Sequence, residues 1–391
     1  MQRLIDMKTM TGILSKHADE TGYSLEMLIW GFEHMFAHWH RQELADFCHH
    51  EIPAFNPGDL GAFTDIDTTL DKRQSIVPAA RFHRLFMVTA STVPSAAFQD
   101  IVLSLLLPVE VVVRPSENLL PLFYDLHDYL WKKSPLLAER LRIVETGHHE
   151  ESLLNWLNWC DCLNVSGSNE TVKYYQDLLK RHGLNPAFIP HGHRVSAALI
   201  RTQDLDLLTS QDYKNLALDL SAWDQMGCLS PKCLFIEADF EKCRSIAEKL
   251  MKSVDEWSSI LPLGKTELSI QAQKNNAIRL AELDGSCVIH GQNHEDVFVI
   301  FPHECEFEPI FQPRLLNIYP VIDSVEAAIQ LSPFGQAAGS LSPLGTHNEE
   351  RLAQAGYNYF CRLGQMQDPP LTWLHDSIGT LLPLYTARRQ Q

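Results

Sequence analysis

Residues 84–118 read RLFMVTASTVPSAAFQDIVLSLLLPVEVVVRPSEN. An apolar run of strand length ends in a polar turn, an amphipathic stretch opens with Pro94, and a second apolar run, VEVVV, ends in another polar turn. Proline is tolerated in the first turn of a helix, so the stretch reads as strand, helix, strand, which is a right-handed crossover unit with parallel strands. The alternation continues outward through helix NLLPLFYDLHDYLWKK, strand LRIVETG, helix ESLLNWLNW, strand CLNVSGS and helix ETVKYYQDLLKRHG. A second alternating block begins near Asp204 with helix DLDLLTSQDYKNLALDLSAW, strand CLFIE and helix ADFEKCRSIAEKLMKSVDEW, followed by strands SCVIHG, DVFVIF and RLLNIYPV. Upstream, apolar residues recur at helical intervals from Met1 to Cys48, as in LEMLIWGFEHMFAHW, and the pattern dissolves into a loop from Glu51 to Pro78. The expected class is α/β: two open parallel-sheet domains preceded by a helical region. The polar RTQD between Ile200 and Leu208 marks the expected boundary, giving residues 1–205 and 206–391.

Bulk properties narrow the function. The 391 residues, 45% hydrophobic, supply two cores, and a formal net charge of −17 argues against a nucleic-acid or anionic-membrane binder. The opening MQRLIDMKTMTG lacks the apolar core of a secretory signal, and no stretch reaches the roughly 18 apolar residues of a membrane span. Nine cysteines at irregular spacings fit buried thiols in a reducing, cytoplasmic compartment rather than a disulfide framework.

No Gly-x-Gly-x-x-Gly phosphate loop follows an early strand. Small and polar residues stand instead at three strand ends, in Thr92-Val93-Pro94, Arg114-Pro115-Ser116-Glu117 and Gly167-Ser168, where open α/β sheets bind ligands. The most specific stretch is Asp224-Gln225-Met226-Gly227-Cys228-Leu229-Ser230-Pro231, which places a cysteine just before a buried strand. In this order and spacing the motifs resemble the aldehyde-dehydrogenase superfamily, and the Cys228 motif resembles its LuxC-type acyl-CoA reductases along its whole length. The resemblance covers about Leu85 to Leu384 and implies an aldehyde-dehydrogenase-like fold with two Rossmann-like domains, the first binding a nicotinamide cofactor and the second carrying the nucleophile.

That resemblance implies roles for individual residues. Arg114, Pro115, Ser116 and Glu117 would belong to the cofactor site, with Arg114 and Glu117 flanking the adenosine ribose, and Gly167 and Ser168 would face the pyrophosphate at a positive helix end. Glu117 favours NAD by accepting ribose hydroxyls, whereas Arg114 attracts the 2′-phosphate of NADP, which leaves both cofactors open; the resemblance to LuxC-type reductases implies NADPH, with NADH as the alternative. Cys228 would be the nucleophile, because a thiolate exchanges readily with an acyl thioester and hydride can then reduce the acyl-enzyme. The oxyanion would be held by the Cys228 backbone N–H and by Thr92, which stands where the superfamily has Asn. Phe311 and Pro313, in EPIFQPR, match the segment whose Phe packs beside the nicotinamide, with Pro309 at the ribose-binding Glu position and Glu308 one residue earlier. The stretch IPHGHRVSAALI lacks the carboxylate that hydrolytic members use to activate water, and offers His191 or His193 as an acid or base. Near the C-terminus His375-Asp376-Ser377 stands where LuxC-type members have His-Asp-Gly.

The function expected is reduction of an acyl-CoA, long-chain fatty by resemblance, to its aldehyde, with an acyl-activating synthetase as partner and a homo-oligomeric assembly. Two alternatives remain: a short-chain acylating NAD-dependent aldehyde dehydrogenase, and a fold member that only binds an acyl-transferring partner. Other signals are declined. His34 and His38 have zinc-like i, i+4 spacing without a His-Glu-x-x-His frame, Cys160 and Cys162 alternate into a strand, and His148-His149 is weaker still, so no metal is expected.

Overall fold

The computed structural model describes residues 4–52, 79–80, 82–146, 150–302 and 310–386. They form two compact units: the described residues of 1–17, 31–192 and 370–391 in the first, those of 18–30 and 193–369 in the second. The N-terminal region is helical as expected, in α1 (Met7–Thr21), α2 (Leu25–Ala37) and α3 (Arg41–Glu51).

In the first unit β2 (Arg84–Val88), β3 (Glu110–Arg114), β4 (Leu141–Ile143), β5 (Cys162–Ser166) and β6 (Ala187–His191) form a fully parallel sheet in the order β4-β3-β2-β5-β6. The chain enters at the centre, winds outward through β3 and β4, and returns to the other side of β2, so a topological switch lies between β2 and β5. Alternate strand residues separate the faces. Phe86, Val88, Leu163 and Val165 share one apolar core with Leu153 and Leu157 of α7 (Glu150–Trp159) and with Tyr175, Leu178 and Leu179 of α8 (Asn169–His182). On the opposite side Leu85, Met87 and Asn164 line a small cavity with Asp100 and Ser104 of α4 (Pro94–Ser104) and with residues 375–384.

The second unit holds a seven-stranded sheet. Its strands β7 (Val195–Ile200), β8 (Pro231–Ile236), β9 (Cys287–His290), β10 (Val297–Ile300), β11 (Leu315–Pro320), β12 (Gly335–Ser340) and β13 (Tyr359–Arg362) lie in the order β13-β12-β7-β8-β11-β10-β9. All are parallel except β9, an antiparallel edge strand. The 21-residue α10 (Phe240–Ile260), capped by the Asp239 carboxylate, buries Ile246, Leu250 and Val254 against Leu234, Phe298 and Ile318. The helix α9 (Ser210–Ser221) starts later than its apolar pattern suggests, because Thr209 and Asp212 close a reciprocal capping box there.

The division differs from the expected one in three respects. RTQD is not a linker: Asp204 is fully buried, bonded to Arg201 at 3.4 Å and to Ser342, and turns the chain from β7 into α9. The boundary falls instead at Gly192 and His193, since β7 pairs with β8 and β12 in the second sheet. Residues 18–30 belong to the second unit, where Tyr23 and Trp30 meet the Trp223 ring edge-on at 5.4 and 6.2 Å. The C-terminal segment belongs to the first, because the buried Glu51 carboxylate accepts the backbone N–H groups of Thr380, Leu381 and Leu382 at 2.8, 2.5 and 2.7 Å.

Candidate active site

The loop between α9 and β8 carries Cys228. Three consecutive residues, Trp223, Asp224 and Gln225, adopt left-handed φ values of 55°, 51° and 62°. L-residues hold such a run only where the surroundings enforce it. The enforcement is visible around Asp224, only 5% exposed, whose Oδ1 accepts Nε and Nη2 of Arg314 at 3.0 and 2.9 Å and whose Oδ2 accepts the Gly264 N–H at 3.1 Å. Arg314, 3% exposed, further donates to Leu261 O at 2.6 Å, Ser258 Oγ at 3.1 Å and Asp296 Oδ1 at 3.4 Å. Burial pushes the Asp224 carboxyl above the usual carboxylate range, opposed by Arg314 and the Gly264 amide.

Each further polar residue of the motif holds the loop shut. The Gln225 side-chain amide donates to Pro231 O at 2.7 Å, the Ser230 N–H to Gly227 O at 3.1 Å, and Lys232 Nζ to Gln225 O. Burial pulls the Lys232 ammonium down to about 7. Ser196 Oγ of β7 donates to the Cys228 carbonyl at 2.7 Å while accepting the Ala337 N–H at 3.1 Å, which ties the cysteine backbone to two strands. The Cys228 side chain is half-buried, whereas that of Cys233 in β8 is fully buried and its thiol pushed up. None of the eight described cysteines is in a disulfide. The sequence pointed to the loop but not to Ser196, Lys232 or Arg314. Arg314 lies 90 residues from its partner, and a lone cation before an apolar strand gives no local cue.

Phe311 is 39% exposed, and the His193 ring meets it edge-on at 4.7 Å. Glu308 and Pro309 lie outside the described residues.

The remaining expected residues stand together on the carboxyl edge of the first sheet. Thr92 is half-buried in the turn after β2, immediately before Val93, whose left-handed φ of 49° sets the start of α4. Arg114 ends β3 and donates from Nε to Thr146 Oγ1 at 2.7 Å; Pro115 is buried, Ser116 bonds Asn118 Oδ1 at 2.7 Å, and Glu117 is exposed. Gly167 and Ser168 lead into α8, where Ser168 Oγ accepts the Thr171 N–H at 3.3 Å. A Cβ on Gly167 would stand 3.2 Å from the Thr171 side chain, so a larger residue would crowd the helix entrance. A helix N-terminus at the switch point, with a guanidinium and a carboxylate on the neighbouring strand end, suits a dinucleotide's phosphates and ribose.

His191 ends β6 on the same edge, and its carbonyl accepts the Gly167 N–H at 3.0 Å. Its Nδ1 lies 2.8 Å from Asp376 Oδ2, and its ring stacks on His375 at 4.6 Å with planes 7° apart. Asp376 and Ser377 have φ values of 53° and 62°, which accounts for the Gly of the related His-Asp-Gly motif. These three side chains bring possible metal-ligand atoms within 4.8 Å of one another.

A first sheet wound about a switch point, and a second sheet whose β8 is preceded by a braced cysteine loop, define an aldehyde-dehydrogenase-like α/β protein. Solved structures of that fold agree. Over 97% of this chain and 86% of the other, the protein Gox0499 superposes with a TM-score of 0.67 at 11% identity. A putative aldehyde dehydrogenase of Burkholderia cenocepacia gives 0.61 at 17% identity over 93% and 77%. A NAD-dependent benzaldehyde dehydrogenase of Corynebacterium glutamicum gives 0.58 at 14% identity over 96% and 84%. Comparison with curated protein sequences finds no match. The family profile of acyl-CoA reductase (LuxC) matches residues 7–387, and the chain belongs to that family. It is thus an oxidoreductase acting on acyl and aldehyde groups. No helix among the described residues is long and apolar enough to cross a membrane.

Proposed function

We propose that the protein reduces a long-chain fatty acyl-CoA to the aldehyde with NADPH, through an acyl thioester on Cys228. The observation that carries this reading is the loop itself. Asp224, Gln225 and Ser230 are spent on holding it, and of the two side chains it leaves accessible between them, Met226 and Cys228, the thiol is the one that can act as a nucleophile. The Cys228 sulfur attacks the acyl carbon, a new C–S bond forms, and the CoA sulfur leaves with the electron pair. Reduced nicotinamide supplies the hydride. Collapse of the resulting oxyanion returns the electron pair to the Cys228 sulfur and frees the aldehyde.

The backbone N–H of Cys228 and the hydroxyl of Thr92 are assigned as oxyanion donors. Arg114, Pro115, Ser116, Glu117, Gly167 and Ser168 are assigned to the dinucleotide, and Phe311 to its nicotinamide end. NADPH is favoured over NADH because the Arg114 guanidinium complements a 2′-phosphate. The stretch IPHGHRVSAALI lacks the carboxylate with which hydrolytic relatives activate water, so the acyl-enzyme is spared hydrolysis. Delivery of the acyl group by a synthetase partner, and assembly as a homo-oligomer, belong to the same reading.

The test is aldehyde formation from acyl-CoAs of two to eighteen carbons with NADPH or NADH, in wild type and Cys228→Ala. Turnover of long chains with NADPH, abolished in the variant, supports the reading. Preference for short chains with NADH would replace it with an acylating aldehyde dehydrogenase, and an active Cys228→Ala protein would end the thioester mechanism.

A further inference from the structure

Among the described residues, one group of side chains has the ligand types and the closeness that a metal ion needs: His191, His375 and Asp376. All three belong to the first unit, His191 at the end of β6 and the other two in the C-terminal segment. Asp376 Oδ2 stands 2.8 Å from His191 Nδ1 and 4.0 Å from His375 Nε2. Two atoms bound to one tetrahedral zinc, each at about 2.0–2.1 Å, are about 3.3 Å apart, so these separations bracket the spacing that such an ion imposes. The two rings are stacked with planes 7° apart, and sharing an ion asks one of them to turn out of the stack. His375 is the one placed to do so, since its side chain is 32% exposed against 9% for His191.

The charge around the cluster points the same way. The Asp376 side chain is 1% exposed, and the buried Glu51 carboxylate of α3 holds the segment that follows it. From α4 the Asp100 carboxyl faces the adjoining cavity, within electrostatic reach of both Glu51 and His191. No lysine or arginine stands among the described residues that line this cavity. Carboxyl groups gathered away from water without a cation beside them are costly, and a dipositive ion offsets that cost. Two imidazole nitrogens and one carboxylate suit a borderline transition-metal ion, whereas magnesium and calcium ask for a shell of oxygens.

We propose that His191, His375 and Asp376 bind a divalent transition-metal ion of the zinc class, with water in the remaining position. The ion takes the place of the proton shared by His191 Nδ1 and Asp376 Oδ2, which leaves to water. Its role is structural: it fastens the end of β6 to the C-terminal segment, within the first unit and independently of the reaction proposed at Cys228. The sequence carries no metal motif for it because His191 and Asp376 are 185 residues apart along the chain.

The experiment dialyses the full-length protein against a chelator and then titrates it with cobalt(II) and with zinc(II). Wild type should take up one equivalent of cobalt with the visible ligand-field bands of a four-coordinate site, without the sulfur-to-cobalt charge-transfer band that a cysteine ligand adds, and zinc should displace it. Asp376→Asn keeps an oxygen that accepts the His191 N–H but is a poor ligand, so it should fold as wild type and bind at least about 10²-fold more weakly; His375→Ala should do the same. Hydrogen exchange at residues 375–378 should slow when zinc is added to wild type and stay unchanged in both variants. A wild type that binds neither ion, cobalt held through sulfur, or undiminished affinity in folded Asp376→Asn and His375→Ala overturns the inference. None of these readouts uses acyl-CoA, so failure of the metal site and failure of the thioester mechanism are told apart.

Discussion

Replacing Asp224 by alanine removes a carboxylate that meets Arg314 through two hydrogen bonds of 2.9 and 3.0 Å and Gly264 through one of 3.1 Å. Taking away one partner of a buried ion pair costs about 3–5 kcal/mol, because the remaining charge is left without its counter-ion. Arg314 keeps Asp296 at 3.4 Å, Ser258 at 3.1 Å and Leu261 O at 2.6 Å, which brings the expectation to the lower half of that range. The backbone adds to it. Position 224 has a φ of 51°, and alanine tolerates the left-handed region less well than aspartate. We expect Asp224→Ala to lose about 3–4 kcal/mol in urea unfolding followed by tryptophan fluorescence, a midpoint lower by roughly 1–2 M. In the folded variant the Cys228 thiol should alkylate with iodoacetamide at an altered rate, since the residues fixing its loop have let go. Asp224→Asn, which keeps one acceptor oxygen for Arg314, should fall between the two. An Asp224→Ala protein within about 0.5 kcal/mol of wild type, with unchanged alkylation, would refute the claim that this pair braces the loop.

Asp219 gives a pH signature. Burial raises its carboxyl from 3.8 to about 8 despite N–H bonds from Gly364 and Met366, so the folded state binds a proton that the unfolded state has released across that window. Stability should therefore fall as pH rises from about 4 to about 8, by up to about 1 kcal/mol per pH unit, and Asp219→Asn should flatten this component of the unfolding profile. A wild-type slope retained in full by the variant would contradict that assignment. Glu51→Ala removes the acceptor of three backbone N–H groups and should cost about 3 kcal/mol; hydrogen exchange at residues 380–382 should accelerate while β2 and β3 stay protected. Unchanged exchange there would show that the C-terminal segment is held by other contacts.

What the sequence disclosed follows the physics of each element. Strands β2 to β5 of the first sheet were legible because each run is apolar, bounded by polar turns and joined by a helix with its own period, whereas β6, AFIPH, is mostly half-buried and carries Pro190, and was not read as a strand. By contrast β12, GQAAGS, has no large apolar residue, yet all six of its residues are buried. Its smallness is imposed by its neighbours: a Cβ on Gly335 would meet the Tyr357 ring at 2.4 Å, and one on Gly339 the Met366 sulfur at 2.6 Å. RTQD misled because a buried turn and a linker share a polar composition, and only the Asp204 contacts tell them apart. The Cys228 loop was visible because its determinants lie within eight consecutive residues. The groups that complete it, Ser196 and Arg314, and the Asp376 partner of His191, are 32, 90 and 185 residues away along the chain, and such pairings appear only on folding.

The most direct test of the account is the intact mass of the protein after mixing with a long-chain acyl-CoA in the absence of NADPH, followed by peptide mapping. The account predicts one added acyl group, located on Cys228, absent from Cys228→Ala, and discharged as aldehyde when NADPH is supplied. An adduct that persists in Cys228→Ala, or aldehyde production by a wild type whose Cys228 is never acylated, would contradict it.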